Sequence, residues 1–328
     1  MSSPLVSIII PAYKAEHFIT RCLNSCIKQS YPHIEVIVIN DCSPDSTGFI
    51  CDQFALINTN IKVIHNLKNE GPQLARPKGV SLARGELITF LDSDDSLASN
   101  AVELLVNEAI KTNADIVIGG YEIISNRGSQ YRTPPKNIFN TADKWIEFFF
   151  KFPFRYQWAK LYKKEHIQNI SIPENIFHGE DLIFNIQLFT SDKIKIVATL
   201  NEPIYHYREN KLSISRNHSY ISTKNSLDAQ LWIKEYLESL DLLNSNKIKN
   251  SFLVHSVDKL AAAFRHRGKN QYSRQLVTKL YSELYQSCPK KYRKNIPIHQ
   301  RLIVNLEKLS PLASEILSKL LKLIQILR

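Results

Sequence analysis

The chain has 328 residues, a length that predicts one large domain or two ordinary ones. Hydrophobic residues make up 44% of it and aromatic residues 10%, which is enough to build a packed core and excludes an intrinsically disordered protein. The formal net charge is +11, and the basic excess lies at the C-terminal end, because residues 241–328 contain 17 Lys and Arg against 5 Asp and Glu.

The basic C-terminal quarter predicts an anionic partner. Anionic lipid headgroups, phosphorylated saccharides and nucleic acid carry the required charge, and a solvated helical surface without a partner is the alternative. We expect no nucleic-acid partner, because the basic residues are scattered over helical patterns and no nucleic-acid-binding module is recognisable.

The cysteines and the N-terminus predict a cytoplasmic protein. Five cysteines without a Cys-x-x-Cys pair are typical of reduced thiols. The N-terminal apolar run covers about six residues, has no basic residues before it and predicts a strand rather than a signal peptide. No segment reaches the roughly 20 apolar residues that span a bilayer.

The first 125 residues alternate short apolar strands with helices. This alternation predicts βαβ units, and hence an α/β fold whose mostly parallel sheet is flanked by helices. In such sheets ligands bind at the carboxyl ends of the strands. We expect strands at residues 6–10, 34–39, 61–65, 87–91 and 115–119, and helices at about 15–29, after 44, at 72–84 and at 99–112.

The character of the chain changes near residue 220. Before this point, residues 126–140 are polar and contain proline, which predicts a long loop, and residues 178–190 predict a helix. After it glycine nearly vanishes and amphipathic helical patterns follow. The chain therefore divides into a domain of residues 1–219 and an α-helical, basic C-terminal region of residues 220–328.

The last helical pattern, residues 310–328, is typical of an interfacial membrane helix. Ser310 can cap it, Pro311 suits its first position, and basic residues accompany its apolar face. This interpretation predicts peripheral association with the inner face of the cytoplasmic membrane. The alternative is a terminal helix that packs on its own domain.

An acidic cluster follows the fourth predicted strand. Asp92 and Asp94 stand one residue apart after the apolar run LITFL. Carboxylates in this position suit Mg²⁺ or Mn²⁺, which prefer oxygen ligands and share them with a diphosphate. A solvated turn is the alternative, although neighbouring carboxylates repel one another unless a cation or a basic group lies nearby.

Three further clusters are candidates for chemistry. Asp41, at the end of the second strand, can accept hydrogen bonds from a nucleobase or ribose, or can cap the next helix. Glu180 and Asp181 open a predicted helix, where a carboxylate can act as general base or can interact with the helix dipole. Arg208 and Ser213 offer hydrogen bonds to phosphate oxygens, or belong to a structural strand and its exposed loop.

Six segments in this order resemble the motifs of family 2 glycosyltransferases with the GT-A fold, which build bacterial capsule, lipopolysaccharide or exopolysaccharide. They are VSIIIPAYK, INDCSPDST, NEGPQLARPKGVSLARGELITFLDSDD, WAKLYKKEH, HGEDLIFN and YHYRENKLSIS. The resemblance covers residues 5 to about 220. It implies a Rossmann-like, nucleotide-sugar-binding GT-A fold.

The resemblance implies a role for each candidate residue. Asp181 is expected to be the catalytic base, Glu180 to support the acceptor, and Asp94 to bind the metal, Mn²⁺ or Mg²⁺. Asp41 is expected to hydrogen-bond the nucleobase, and Arg208 to close on the diphosphate. The residues expected to bind the donor are Pro11, Tyr13, Asp41, Asn69, Arg76, Asp92, Arg208 and Ser213.

The chain departs from the family pattern at five positions. Lys14 stands where Asn is usual, Asn40 replaces the first Asp, Cys42 replaces Gly, and Pro77 and Ala159 each replace Asn. Pro77 matters most, because it removes an amide side chain and a backbone donor beside Arg76 and leaves the placement of that arginine open.

The function implied by the resemblance is inverting transfer of a hexose or N-acetylhexosamine. The donor is a nucleotide-sugar, expected to carry UDP, and the acceptor is a saccharide or a lipid-linked saccharide. Asp181 would deprotonate the acceptor hydroxyl while the nucleoside diphosphate leaves against the metal and Arg208. The alternatives are a non-catalytic membrane-surface scaffold that retains the fold, and a nucleotidyltransferase, which would need a glycine-rich loop where the sequence reads PAYKAE.

Overall fold

The computed structural model describes residues 3–210, 220–249, 251–252 and 255–256. The chain divides into two compact units, and the sheet belongs to the first. The first unit comprises Met1–Trp145, Phe154–Glu174 and Glu180–Ser213, and the second comprises Ile146–Pro153, Asn175–Gly179 and Ile214–Arg328.

Strands and helices alternate along the first unit, and the elements predicted for residues 1–125 are confirmed with small differences at their ends. The strands are β1 (Val6–Ala12), β2 (Ile34–Asn40), β3 (Ile61–His65), β4 (Leu87–Phe90), β5 (Ser96–Leu97), β6 (Ile116–Ser125), β7 (Gly128–Arg132), β8 (Asn137–Phe139), β9 (Lys160–Lys163) and β10 (Val197–Arg208). The helices are α1 (Ile19–Ile27), α2 (Thr47–Ile57), α3 (Pro72–Leu82), α4 (Ala101–Thr112), α5 (Ala142–Lys151), α6 (Lys164–Ile167), α7 (Glu180–Phe189) and α8 (Tyr220–Ser239).

In the described part of the chain the strands form one sheet in the order β3-β2-β1-β4-β9-β6-β10-β5, with β7 on β6 and β8 on β10. The α/β fold is confirmed. Parallel pairings join most of its central strands, and antiparallel pairings make the sheet mixed. β1 to β4 run parallel, as do β6 and β10, but β9 lies antiparallel between β4 and β6 because the chain enters it from the carboxyl-end edge.

Residues 126–140 do not form the predicted long loop. They contain β7, which pairs antiparallel with the far end of β6, and β8, which pairs antiparallel with β10. All side chains of β7 are exposed, so its sequence lacks the apolar alternation that reveals a strand. The hairpin forms because β6 extends to Ser125 and offers its backbone groups to a partner.

Three residues have left-handed backbone where the chain departs from the family pattern. The dihedral φ is 51° at Lys14, 58° at Cys42 and 56° at Ala159. The pattern has Asn, Gly and Asn at these positions, and these residue types adopt this conformation most readily. Lys, Cys and Ala therefore adopt left-handed backbone at these turns at a higher conformational cost than Asn or Gly would have there.

The described part of the second unit consists of helices and the irregular segment Asn175–Gly179. Asn225 of α8 holds the segment before α7: its side-chain oxygen accepts hydrogen bonds from the amides of Phe177 and His178. Its side-chain nitrogen donates to the carbonyl of Asn175 at 2.5 Å. Both polar atoms of this asparagine thus satisfy backbone groups of an irregular segment.

No helix in the described ranges combines the length and the apolar character needed to cross a membrane. The pattern of residues 310–328 lies outside the described residues, as do Ser213 and most of the predicted region 220–328. The division at residue 220 and the interfacial helix stay predictions.

Replacing Cys42 with Gly should stabilise the protein more than replacing it with Ala. Left-handed backbone costs a residue with a Cβ roughly 1–2 kcal/mol, which outweighs the roughly 0.5–1 kcal/mol by which glycine favours the unfolded chain. Cys42 is exposed, so neither variant removes buried packing. The free energy of unfolding, measured in urea, should be about 1 kcal/mol higher for Cys42→Gly than for Cys42→Ala.

The exposed helical position Ser81 in α3 provides the control. There the same pair of substitutions should give the opposite order, because helical backbone favours Ala over Gly by about 1 kcal/mol. A higher stability of the Ala variant at both positions would contradict the assignment of strain to Cys42.

Candidate active site

Polar side chains lie along the carboxyl-end edge of the sheet in the first unit. β1, β2 and β4 end at this edge. β9 begins there, because it is antiparallel to β4, with Leu87 paired to Lys163 and Ile88 to Tyr162. The edge carries in order the residues after β2, β1 and β4, and then the segment before β9. This is where the sequence predicts ligand binding.

The acidic residues after β4 form a turn that is fixed to β10. The amide of Asp95 donates to the carbonyl of Asp92 at 3.0 Å. The buried Asp95 carboxylate accepts hydrogen bonds from the Tyr205 hydroxyl and the Arg208 amide, both at 2.8 Å. Asp95, which no sequence argument singled out, thus holds the preceding aspartates in place.

The negative charge of this turn is only partly compensated. Burial and the charge of Asp92 raise the pKa of Asp94, and burial and Asp94 raise the pKa of Asp95 well above its ordinary value. Arg21 approaches from α1 and donates to the Asp94 carbonyl at 2.5 Å. A positively charged ligand at Asp94 would relieve the remaining repulsion.

Two guanidinium groups lie next to this turn. Burial lowers the pKa of Arg21, and the positive charge of Arg208 lowers it further. The Nε atoms of both arginines are buried and have no hydrogen-bond partner among the residues that the structure describes. Neighbouring cations with unused donors suit a phosphate group, in agreement with the role expected for Arg208.

Arg76 is buried between two of the predicted site carboxylates. Its Nη2 donates to Oδ1 of Asp92 at 2.8 Å, and its Nη1 lies 3.7 Å from Oδ1 of Asp181. Burial lowers the pKa of Arg76, but the charges of the two aspartates raise it above its ordinary value, so the guanidinium stays protonated. α3 continues through Pro77, and the proline does not displace Arg76 from the site.

α7 begins with Glu180 and Asp181. Asp181 keeps 24% of its side chain exposed, and its Oδ1 has no hydrogen-bond partner within the described ranges. Burial raises the pKa of Asp181 above 3.8, and Arg76 opposes this rise. Burial and the charge of Asp181 raise the pKa of Glu180 to about 8. The two carboxyls interact, so Glu180 keeps its proton to a higher pH than an ordinary glutamate does.

A buried lysine completes the charged group. Lys160 in β9 is 1% exposed and donates a hydrogen bond to the carbonyl of Tyr156. Burial lowers its pKa to about 7, and the negative charge of Asp181 opposes this shift. Its signal in the sequence is a lysine between apolar residues in the segment WAKLYKKEH, which as a whole resembles a family motif.

Asp41 organises the loop before α3. Its carboxylate accepts hydrogen bonds from the Asn66 side chain at 2.8 Å and from the amides of Glu70 and Gly71 at 3.0 and 2.7 Å. It does not cap α2, because Asp45 accepts the first amide of that helix at 3.1 Å. The helix-cap alternative for Asp41 is therefore wrong.

The other candidates on the donor side lie around Asp41. Pro11 is half-buried in β1, and Tyr13 is 41% exposed with the Lys14 ammonium 5.3 Å from its ring centroid. Asn69 is exposed in the loop whose next two amides bind Asp41. The predicted residues thus form two groups, one around Asp41 and one around Asp92, Asp94, Arg76, Asp181 and Glu180.

The turn after β4 fits a hard divalent cation. In residues 3–210 and the other described ranges, no three His, Cys, Asp or Glu side chains are arranged to enclose a metal ion. Mg²⁺ and Mn²⁺ do not need such a group when phosphates and water supply most ligands. Asp92 is paired with Arg76 and Asp95 is hydrogen-bonded to Tyr205, so Asp94 is the carboxylate of this turn that best fits a cation.

The chain matches a known protein family over half its length. Residues 7–171 match the model of glycosyl transferase family 2. The chain belongs to this family. One relative is EpsJ, an uncharacterized glycosyltransferase of Bacillus subtilis (strain 168). It is 33% identical to this glycosyltransferase over 260 residues, and the alignment covers 74% of this chain and 70% of EpsJ.

A second relative and a solved structure extend the comparison. The UDP-Glc:alpha-D-GlcNAc-diphosphoundecaprenol beta-1,3-glucosyltransferase WfgD of Escherichia coli is 32% identical over 52% of this chain and 75% of WfgD. The crystal structure of S. aureus TarS 1–349 in complex with UDP-GlcNAc covers 96% of this chain and 89% of the TarS chain, with a TM-score of 0.72 and 20% identity. This similarity confirms the GT-A fold.

Replacing Lys160 with Met should change how the stability of the glycosyltransferase depends on pH. Because its folded pKa of about 7 lies below the ordinary lysine value of 10.5, the unfolded chain binds more protons between these values. The contribution of Lys160 to the free energy of unfolding therefore rises with pH in this window. Below about pH 7 the buried lysine is charged, and its full desolvation cost lowers the stability. From about pH 7 to about pH 9, the free energy of unfolding in urea should rise more for wild type than for Lys160→Met. The difference should reach up to about 1.4 kcal/mol per pH unit.

Lys62→Met, at an exposed position of β3, is the matched control and should give the same pH dependence as wild type. Parallel curves for wild type and Lys160→Met would show that Lys160 is protonated at all these pH values.

Proposed function

We propose that this glycosyltransferase moves a hexose or N-acetylhexosamine from a UDP-sugar to a saccharide acceptor with inversion at the anomeric carbon. The product would belong to a bacterial surface polysaccharide or lipopolysaccharide. The UDP-glucose donor in the name of WfgD and the UDP-GlcNAc bound to TarS support a UDP-sugar as donor.

The observation that carries this proposal is the position of Arg76. One buried arginine lies between Asp92, on the donor side, and Asp181, the candidate base. It holds the two carboxylates at a fixed spacing and favours the ionised form of Asp181. An ionised base held opposite the donor is what direct displacement of the diphosphate by an acceptor hydroxyl requires.

The donor would lie along the edge from Asp41 to the turn after β4. Pro11, Tyr13, Asn69 and Asp41 would surround the nucleobase. Asp41 already accepts three protein hydrogen bonds, so its main effect would be to shape the loop of Glu70 and Gly71 against the nucleotide. Arg208 would bind the diphosphate, with Arg21 beside it and Asp92 on the ribose or sugar.

Asp181 would act as the general base. Part of its side chain is exposed and lets an acceptor hydroxyl approach, while its buried Oδ1 faces Arg76. Glu180, whose pKa is raised to about 8, keeps its proton at neutral pH and would donate a hydrogen bond to an acceptor oxygen. No covalent sugar–enzyme bond is needed, so a single base suffices.

Family 2 glycosyltransferases generally depend on a divalent metal ion. Asp94 would hold Mn²⁺ or Mg²⁺, which supplies positive charge to the diphosphate as it leaves. The arginines Arg21 and Arg208 would contribute charge to the same leaving group from the protein side.

The acceptor would be a lipid-linked saccharide at the inner face of the cytoplasmic membrane. The name of WfgD specifies a diphosphoundecaprenol-linked acceptor. The basic excess of residues 241–328 supports the same location, because anionic headgroups attract such a segment.

Asp181→Asn should lower turnover by about 10²–10⁴-fold, because a neutral amide cannot accept the hydroxyl proton. Turnover is measured as UDP released from UDP-glucose, UDP-galactose or UDP-GlcNAc in the presence of Mn²⁺. Donor binding, measured as the rise in the thermal unfolding midpoint with the same UDP-sugar and Mn²⁺, should be unchanged. Asp94→Asn should instead reduce the part of this rise that depends on Mn²⁺.

The exposed Asp143 in α5 provides the control, and Asp143→Asn should behave as wild type in both measurements. Retention of most turnover by Asp181→Asn would exclude Asp181 as the base.

A further inference from the structure

Three aromatic rings form a stack next to the candidate active site. Trp158 lies parallel to Tyr156, with ring centroids 4.3 Å apart and an interplanar angle of 6°. Trp158 also lies parallel to Tyr205, at 4.4 Å and 12°. Tyr121 contacts Trp158 edge-on at 5.0 Å and fixes its plane. We call Tyr156, Trp158 and Tyr205 the ring stack.

The ring stack runs from the core to the surface. Tyr205 is 0% exposed, Trp158 4% and Tyr156 40%. Because Trp158 covers one face of Tyr156, the exposed area of Tyr156 belongs to its other face and its edge. Trp158 therefore backs the ring of a residue that is partly open to solvent.

The backbone that carries Tyr156 is fixed by buried side chains. Asn185 of α7 donates to the carbonyl of Arg155 at 2.9 Å, and Tyr162 of β9 donates to the carbonyl of Gln157 at 2.7 Å. Lys160 donates to the carbonyl of Tyr156. Three successive carbonyls of an irregular segment are thus satisfied, which holds the ring in one position before any ligand binds.

Tyr156 is a neighbour of the candidate base. Asn185 also donates to the carbonyl of Asp181 at 2.6 Å, so one side chain joins the backbone of the two segments. The Tyr156 hydroxyl lies in a partly enclosed position, where burial and the charge of Asp181 raise its pKa. The ring stack lies at the end of the sheet edge opposite to Asp41, since β9, β6 and β10 follow β4 in the sheet.

We propose that Tyr156 is the platform on which the ring of the acceptor sugar stacks while its hydroxyl faces Asp181. The C–H groups on one face of a pyranose ring carry partial positive charge, and the face of an aromatic ring carries negative charge. The Tyr156 hydroxyl adds a hydrogen bond to a sugar oxygen. This inference rests on the proposed function, since it assigns a subsite to the acceptor of that reaction.

The position favours the acceptor over the donor. The residues proposed to bind the nucleobase lie around Asp41, and those proposed to bind the diphosphate are at Asp94 and Arg208. The Tyr156 ring lies beyond both sets of residues and next to Asp181. A ring in this position would contact the acceptor, whose hydroxyl Asp181 would deprotonate. The stack therefore selects for a cyclic acceptor with an unsubstituted C–H face, and selects less strongly for the sugar's individual hydroxyls.

Saturation-transfer NMR tests this subsite with methyl β-glycosides of glucose, galactose and N-acetylglucosamine as probes, with and without UDP and Mg²⁺. Wild type should transfer saturation to the C–H protons on one face of at least one glycoside. Tyr156→Phe should keep this transfer, because it keeps the ring. Tyr156→Leu, which keeps apolar volume but has no aromatic face, should weaken the apparent affinity by about tenfold.

Tyr131→Leu is the matched control, because Tyr131 is 60% exposed in β7 but belongs to no ring stack. It should bind the probes as wild type does. The thermal unfolding midpoint of each variant, with and without UDP, shows that it is folded and binds nucleotide. Equal glycoside affinity of wild type and Tyr156→Leu would overturn the subsite, and so would the absence of saturation transfer from wild type to every probe.

The outcome is separate from that of the proposed function. Failure of wild type to release UDP from any UDP-sugar would contradict the transfer reaction, whereas the glycoside titration decides the subsite without any turnover.

Discussion

One buried arginine between two carboxylates is the interaction on which the site depends. Arg76 reaches Asp92 and Asp181 from α3, and this helix packs so closely on β1 that a Cβ on Gly79 would lie 2.4 Å from Cγ2 of Ile9. Removing one partner from a buried ion pair costs about 3–5 kcal/mol. The packing of α3 on the sheet and the charge state of the site are therefore linked through one side chain.

The mixed sheet places the chemical groups in a line along one edge. The parallel half brings Asp41 and the acidic turn to the carboxyl ends of β2 and β4, and the antiparallel strand β9 brings the ring stack next to them. Nucleobase, diphosphate and acceptor would then occupy successive parts of this edge. Arg76 joins Asp92 in the middle part to Asp181, which would hold the proposed donor and acceptor sides at a constant separation.

The sequence predicts the parts of this arrangement that depend on local patterns. Apolar runs followed by Asp41 or Asp92 indicate strand ends in a βαβ fold, and both lie where the pattern puts them. The ring stack and Lys160 were not predicted, because they depend on the antiparallel insertion of β9, which pairs residues far apart in the chain. Asp95 was missed because its partners, Tyr205 and the amide of Arg208, lie more than a hundred residues away.

The pH dependence of kcat/KM for UDP release, compared between wild type and Arg76→Lys, shows directly whether Arg76 sets the charge state of Asp181. Lysine keeps a positive charge for Asp92 but lacks the second nitrogen that faces Asp181. Asp181 must be ionised to act as base, so the rate falls as pH falls through its pKa. Because the lysine charge would lie at Asp92 and farther from Asp181, the pKa of Asp181 should rise and the acid limb should move to higher pH. A lower rate with the acid limb at an unchanged pH would show that Arg76 does not set the charge state of Asp181.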